Sequence, residues 1–254
     1  MAGPAPCPAP SFPGSLWLAE GGALRCRSAH SLHVLPPTLA LWIPQAVPHT
    51  VQGVGGARLR RMALPLDARH ATPARVAAPC RVMLAGPLLK ALADRLDGAD
   101  DEPRLSPQQQ LALALACEEL KSAEPLPIGI ALPRSPLLRA ACEAALREGA
   151  ADRDCDLRHL ADAARTSTRT LARRFQQELA VPFSHWRLQV RLARLVGLWA
   201  EGLSLSDSAA AVGYTSASAL SYRVRRLLGM TPSRLLAARR CVVDEVAPLA
   251  QPLA

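Results

Sequence analysis

The chain has 254 residues, half of them hydrophobic and 4% aromatic, with a formal net charge of +9. That length supports one large domain or two modest ones with a real core. No run of about 18 apolar residues occurs, which excludes an apolar membrane-spanning helix. The Pro-rich, non-basic start argues against a secretory signal.

The charge is segregated. From Arg158 to Arg240 there are 14 arginines against four acids (Asp162, Glu178, Glu201 and Asp207), while the remainder holds 16 basic and 17 acidic residues. A positive field confined to one segment points to a polyanion partner there; the plainer reading is a solvated helix face. The seven cysteines are odd in number and form no C-x-x-C pair. They read as reduced thiols of a cytoplasmic protein.

In chain order, residues 1–13 are Pro-rich and read as a disordered tail. Residues 16–64 read as short strands, with candidates at 32–35, 40–43 and 59–64, punctuated by Pro36-Pro37 and by Gly53, Gly55 and Gly56. From about residue 84 the pattern turns helical. Ser106-Pro107 and Ser135-Pro136 each pair a capping serine with proline in the first helical position. The acidic stretch from Asp94 to Glu102 reads as an exposed loop, and Asp152 to Asp156 as a linker.

The basic segment then repeats one pattern twice. Leu157, Leu160, Ala161 and Ala164 give a short helix behind Asp156 as N-cap; Ser167 caps a second, with Leu171, Phe175 and Leu179 turned inward. Two short helices across a tight turn make a helix-turn-helix, whose second helix enters the major groove of DNA. Its outward face would carry Ser167, Thr168, Arg169, Ala172 and Arg173. Downstream, Leu205, Ala209 and Val212 form a stripe and Gly213-Tyr214 a turn. Ser216 caps a helix burying Leu220, Val224 and Leu227 and ending at Gly229. Its outward face would offer Ser216, Ala217, Ser218, Ser221, Tyr222 and Arg225, flanked by Arg223 and Arg226. Between the pairs, residues 184–201 place Leu188, Leu192, Leu195 and Trp199 on one face and Arg187, Arg191 and Arg194 on its neighbour. Arg191 is the candidate phosphate contact. A helix of this length spans about 27 Å, enough to set two recognition helices near one DNA turn apart, about 34 Å.

These residues resemble the AraC/XylS family of bacterial regulators. Leu160-Ala161 followed by Ser167-Thr168-Arg169-Thr170-Leu171-Ala172-Arg173-Arg174-Phe175 is similar to the family's first unit. Ala210 to Leu220, with its Gly213-Tyr214-Thr215-Ser216, is similar to the second, and Gly229-Met230-Thr231-Pro232-Ser233 to its closing signature. Arg165 stands where the family usually has a turn glycine, and Leu220 and Val224 where it often has Phe. The segment Pro36-Pro37-Thr38-Leu39-Ala40-Leu41-Trp42-Ile43-Pro44, running on to Pro48-His49, resembles a subgroup with a cupin-like sensor. That subgroup opens with a His-rich strand pair, which nothing upstream of Gly14 supplies.

The resemblance implies an α+β chain. A partial cupin-like β-barrel at 14–80 is followed by a helical linker or dimerisation region at 81–150. An all-α domain at 152–240 then carries two helix-turn-helix units joined by a long helix, ahead of a tail at 241–254. It implies a transcription regulator, activator or repressor, of nearby promoters. The partners would be double-stranded DNA, a small-molecule effector, a second copy of the chain, and RNA polymerase if it activates; no membrane partner is expected. Trp42 and His49 are the candidate ligand residues. No catalytic residue, metal ligand or cofactor is expected. The other class is a cupin-fold metal-dependent enzyme with a helical appendage, which needs three or four ligands; His49 alone matches. Pro79-Cys80-Arg81-Val82 is similar to an alkyl-accepting cysteine motif but lacks its histidine, so Cys80 reads as a buried thiol.

Overall fold

The computed structural model describes residues 14–65, 80–97, 105–147 and 156–237. The expected tails at 1–13 and 241–254, the linker before Asp156, most of the acidic loop and Cys7, Cys155 and Cys241 lie outside the described residues.

Among the described residues, eight strands form two four-stranded sheets. They are β1 (Gly14–Glu20), β2 (Ala23–Ser28), β3 (Ser31–Leu35), β4 (Leu39–Pro44), β5 (His49–Val54), β6 (Arg58–Leu64), β7 (Arg81–Leu84) and β8 (Ile130–Ala131). The orders are β6-β1-β4-β7 and β5-β2-β3-β8, with every neighbouring pair antiparallel. The region from 81 to 150, read as helical, thus contributes a strand to the edge of each sheet. β7 is four residues long and β8 two, too short for a period-2 signal to emerge.

Alternation along the first sheet assigns its two faces. Leu16, Leu18, Ala40, Trp42, Met62, Leu64 and Met83 pack against the helices α1 (Pro87–Arg95) and α2 (Pro107–Ser122). Leu39, Leu41, Ile43 and Val82 face the other way, onto Leu24, Cys26 and Leu35 of the second sheet. Both faces are covered, which is why β4 is buried at all six positions. α2 begins with a full capping box: the Ser106 hydroxyl accepts from the Gln109 N–H while the Gln109 side chain accepts from the Ser106 N–H.

The remaining helices are α3 (Pro136–Arg147), α4 (Leu157–Ala163), α5 (Thr168–Leu179), α6 (Phe183–Ala200), α7 (Leu205–Ala211), α8 (Ala217–Leu228) and α9 (Pro232–Leu235). No helix among the described residues is long and apolar enough to cross a membrane. α6 is the central strut. Trp186 Nε1 donates to the Ala131 carbonyl over 2.9 Å, and Gln189 accepts from the Gly129 N–H and donates to the Pro127 carbonyl. At the far end, Gly55 (φ +64) brings the β5–β6 turn so near the Ala200 carbonyl that a Cβ would collide with it. Thr38 donates to the Leu235 carbonyl from the sheet side. The expected one-sided stripe of α6 is therefore too narrow: Trp186, Gln189, Val190 and Val196 are buried as well, because sheet and helices enclose it from different sides.

Candidate nucleic-acid interface

The helices α4–α5 and α7–α8 are built alike. α4 starts at Asp156, whose carboxylate accepts from the N–H groups of Arg158 and His159; those bonds hold its pKa below the ordinary carboxylate value. α5 starts at Ser167, whose hydroxyl accepts from the Thr170 N–H over 3.1 Å. α7 starts at Ser204 and α8 at Ser216, which accepts from the Ala219 N–H over 3.2 Å. All three caps expected at 156, 167 and 216 are in place.

Burial sorts the faces. On α5, Leu171, Phe175 and Leu179 are buried, whereas Ser167, Thr168, Arg169 and Arg173 are exposed and Ala172 is half-buried. On α8, Leu220, Val224 and Leu228 are buried; Ser216, Ala217, Ser218, Tyr222 and Arg225 are exposed and Ser221 is half-buried. The inward residue at the end of α8 is Leu228, with the expected Leu227 only half-covered, since four-residue spacing from Val224 keeps strictly to one face. Exposed Arg174, adjacent to Arg173, extends the cationic surface beyond the outward face first assigned to α5, and Arg223 and Arg226, expected to flank the face of α8, are exposed as well. Each N-terminus also presents backbone N–H groups and the positive end of a helix dipole, suited to phosphate.

α6 carries Arg187, Arg191 and Arg194, all half-buried rather than on a fully solvated face. The Arg191 guanidinium lies 5.7 Å from the centroid of the Tyr214 ring, a cation–π contact between α6 and the α7–α8 turn.

The two ligand candidates do not share a pocket. Trp42 is fully buried in the layer between the first sheet and α1–α2, pressed against Gly14, where a Cβ would collide with the indole. His49 opens β5; its Nδ1 lies 2.7 Å from the Val47 carbonyl, and its ring meets Trp17 edge-on at 6.2 Å. Trp17 packs with the inter-sheet core, so adjacent positions in the alternation send Trp42 and the Trp17–His49 pair to opposite sides of the first sheet. Among the described residues, no three His, Cys, Asp or Glu side chains gather as a metal set. Burial pushes the Cys80 thiol up to about 11 and the Cys26 thiol to about 12, so neither is a ready nucleophile.

Residues 160–238 match a family model described as a helix-turn-helix domain. The chain is 26% identical over 226 residues to the HTH-type transcriptional regulator NimR of Escherichia coli (strain K12), covering 88% of this chain and 80% of that protein. Among solved structures, the C-terminal domain of AraT, a response regulator from Geobacillus stearothermophilus, aligns at 23% identity and a TM-score of 0.38, over 46% of this chain and 94% of that one. ToxT from Vibrio cholerae O395 aligns over 92% of each chain at 10% identity and a TM-score of 0.42.

Proposed function

We propose that this chain, an AraC-type DNA-binding transcription regulator, reads its promoter with two helix-turn-helix units, inserting α5 and α8 into successive major grooves. The carrying observation is the repeated construction: two serine-capped helices of 12 residues each, both burying one apolar stripe and exposing a polar, cationic face. The 18-residue α6 between them holds their separation near one DNA turn. Arg169 and Arg173, four apart on the exposed face of α5, read guanine, because the planar guanidinium can donate to O6 and N7 together. Ser218, Ser221, Tyr222 and Arg225 are the corresponding contacts of α8.

Arg173→Ala should cost about 1–3 kcal/mol of binding and relax preference at one or two positions of the operator. Binding-site selection with wild type and variant checks this. A uniform loss of affinity with an unchanged selected sequence would mark Arg173 as a backbone contact and misplace the recognition face.

The two sheets serve as the sensor, which in this proposal extends past residue 80 because β7 and β8 complete them. Its route to the DNA-binding helices is short. A cleft of about 320 Å³ separates the second sheet from α6, with Val34, Val54, Val190 and Leu198 as apolar lining and Arg25 and Arg194 as polar handles. A small molecule held there would touch sensor and strut at once. Leu88 of α1 and Leu111 and Leu115 of α2 are exposed, an apolar surface suited to pairing two copies.

A further inference from the structure

We propose that Glu178, near the end of α5, positions the first recognition helix by latching it to the turn that joins β8 to α3, an inference that rests on the DNA-binding reading and adds to it a residue outside the recognition face. The carboxylate takes three bonds from that turn. Oε1 accepts from the Arg134 N–H and, over 2.7 Å, from the Ser135 N–H; Oε2 accepts from the Ser135 hydroxyl over 2.7 Å. Ser135 precedes α3, and its carbonyl accepts the first bond of that helix, from the Arg139 N–H. A capping box would satisfy the Ser135 N–H with a Glu or Gln three residues on, but Leu138 stands there and is buried. Glu178 supplies that acceptor from another helix. A carboxylate in the last turn of α5 lies at the negative end of its own helix dipole and is disfavoured there. Donors at the start of α3 reverse the balance, since such charge-assisted bonds are roughly twice as strong as neutral ones. Burial raises the Glu178 pKa, but the bonds from Ser135 and Arg134 and the Arg134 charge outweigh it and hold the carboxyl below its ordinary value.

The latch ties α5 to the second sheet. The Leu132 N–H, just past β8, donates to the His30 carbonyl over 2.9 Å. α3 is anchored to the same sheet: Arg27 of β2 donates to Glu143 over 2.7 Å, and Arg139 donates to the Ala29 carbonyl over 2.8 Å. Arg169 lies about 14 Å along α5 from Glu178, with the buried Phe175 between them. A shift of the turn at 132–135 would therefore pivot α5 about Phe175 and move the face that reads bases. At the matching position of α8, one residue before its end, stands Leu227. The latch thus belongs to the first recognition helix and lets the sensor adjust it separately from the second.

Base discrimination, measured half-site by half-site on the full chain, separates positioning from stability and from charge. The duplex is the sequence that wild type selects from a random pool, and the α5 half-site is the set of positions that Arg173→Ala relaxes. A mismatch there should cost wild type about tenfold or more in affinity. In Glu178→Ala that penalty should fall to about threefold or less, while penalties in the α8 half-site stay as they were. Loss of a negative charge beside a polyanion raises affinity for every duplex alike, so affinity by itself is not the readout. Glu178→Gln loses the same charge but keeps an acceptor oxygen for the two N–H groups, and it should retain most of the discrimination. Unchanged discrimination in Glu178→Ala, equal losses in both half-sites, or a Glu178→Gln variant no better than Glu178→Ala would each overturn the latch. Circular dichroism checks folding, and Ser135→Ala, which removes one donor, serves with a smaller expected loss if Glu178→Ala unfolds. Were wild type to select no sequence, or Arg173→Ala to relax no position, the reading of α5 as a recognition helix would fall. Amide exchange without DNA would then decide the latch: faster exchange through α5 but not α8 in Glu178→Ala supports it, and any other pattern overturns it.

Discussion

The two helix pairs have the same lengths, and a side chain caps the start of each helix, but they are secured differently. In the first, Phe175 of α5 meets Phe183 and Trp186 edge-on at 5.3 and 5.6 Å, and those two rings stack at 5.9 Å. Their core continues into Leu138 and Cys142 of α3 and Ile130 and Leu132 near β8. In the second, Leu220, Val224 and Leu228 are aliphatic and join Leu192 and Leu195 of α6 in one core with Leu24, Leu35 and Leu41 of the sheets. One pair is held by an aromatic cluster shared with α6 and by α3, and meets the second sheet at Leu32 of β3 and Ile130 of β8; the other shares the interior between the two sheets. Structural change in the sheets therefore has its most direct apolar route to DNA through the second pair.

Removing the aromatic anchor tests this difference most severely. Phe175→Ala should cost about 3–5 kcal/mol, exposing α4 and α5 amides to hydrogen exchange before those of α8. Leu220→Ala, at about 2–5 kcal/mol, should instead open α8 together with the sheet strands that share its core. Simultaneous loss of protection in both pairs in either variant would show that they form one cooperative unit and erase the distinction.

Acid probes the support shared by the first pair and α6. His33 of β3 is buried, with its Nε2 3.1 Å from the Ser31 hydroxyl and Gly129 packed over its ring. Burial pushes its pKa down to about 4, with a hydrogen bond involving the Ile128 backbone opposing. The unfolded chain takes up a proton near 6.5 while the folded one resists until about 4, so stability is full above 6.5 and declines as pH falls between these values. At pH 5 the loss from this group should be about 2 kcal/mol relative to pH 7. Denaturant titrations at both pH values, on wild type and His33→Gln, measure it. An equal decline in the two proteins would remove His33 as the cause.

Much of the C-terminal half was legible because its signals are local. Asp156, Ser167 and Ser216 are capping residues followed by apolar residues at helical spacing, and Gly229 ends α8 in the left-handed conformation expected of a C-cap (φ +69). Strands β3 and β4 announced themselves as apolar runs, and β6 by its apolar end at Met62-Ala63-Leu64. β2 and β5 did not: arginines interrupt the first, and Gly53 and polar residues the second. What escaped the sequence entirely was long-range. Trp42 gave no sign of which side of the first sheet it takes until the register Leu16↔Trp42 set it toward α1 and α2. The half-burial of Arg187 and Arg191 likewise depends on α8, more than 25 residues downstream of either.

The smallest expected effect lies in the turns, where the two pairs differ by one residue type. Both first helices end in the same double hydrogen bond: Thr166 N–H to Ala161 with Arg165 N–H to Asp162, and Tyr214 N–H to Ala209 with Gly213 N–H to Ala210. This is the Schellman arrangement, which requires a left-handed residue at the position after the cap. The second pair meets it with Gly213 (φ +79), the first with Arg165 (φ +47). A non-glycine residue there costs about 1–2 kcal/mol, partly offset because glycine gives the unfolded chain more freedom, about 0.4–1 kcal/mol. Arg165→Gly should therefore stabilise the protein by roughly 0.5–1 kcal/mol. Gly213→Ala should destabilise it by a similar amount with the opposite sign. Ala180, left-handed at the end of α5 (φ +56) where α8 uses Gly229, supplies a second instance, and Ala180→Gly should act in the same direction. Arg165 is exposed, so its replacement removes no packing, and the shift in denaturation midpoint reports the backbone alone. If Arg165→Gly lowers stability, the arginine side chain contributes an interaction at the turn that outweighs its backbone strain, and the first turn is then not a strained version of the second.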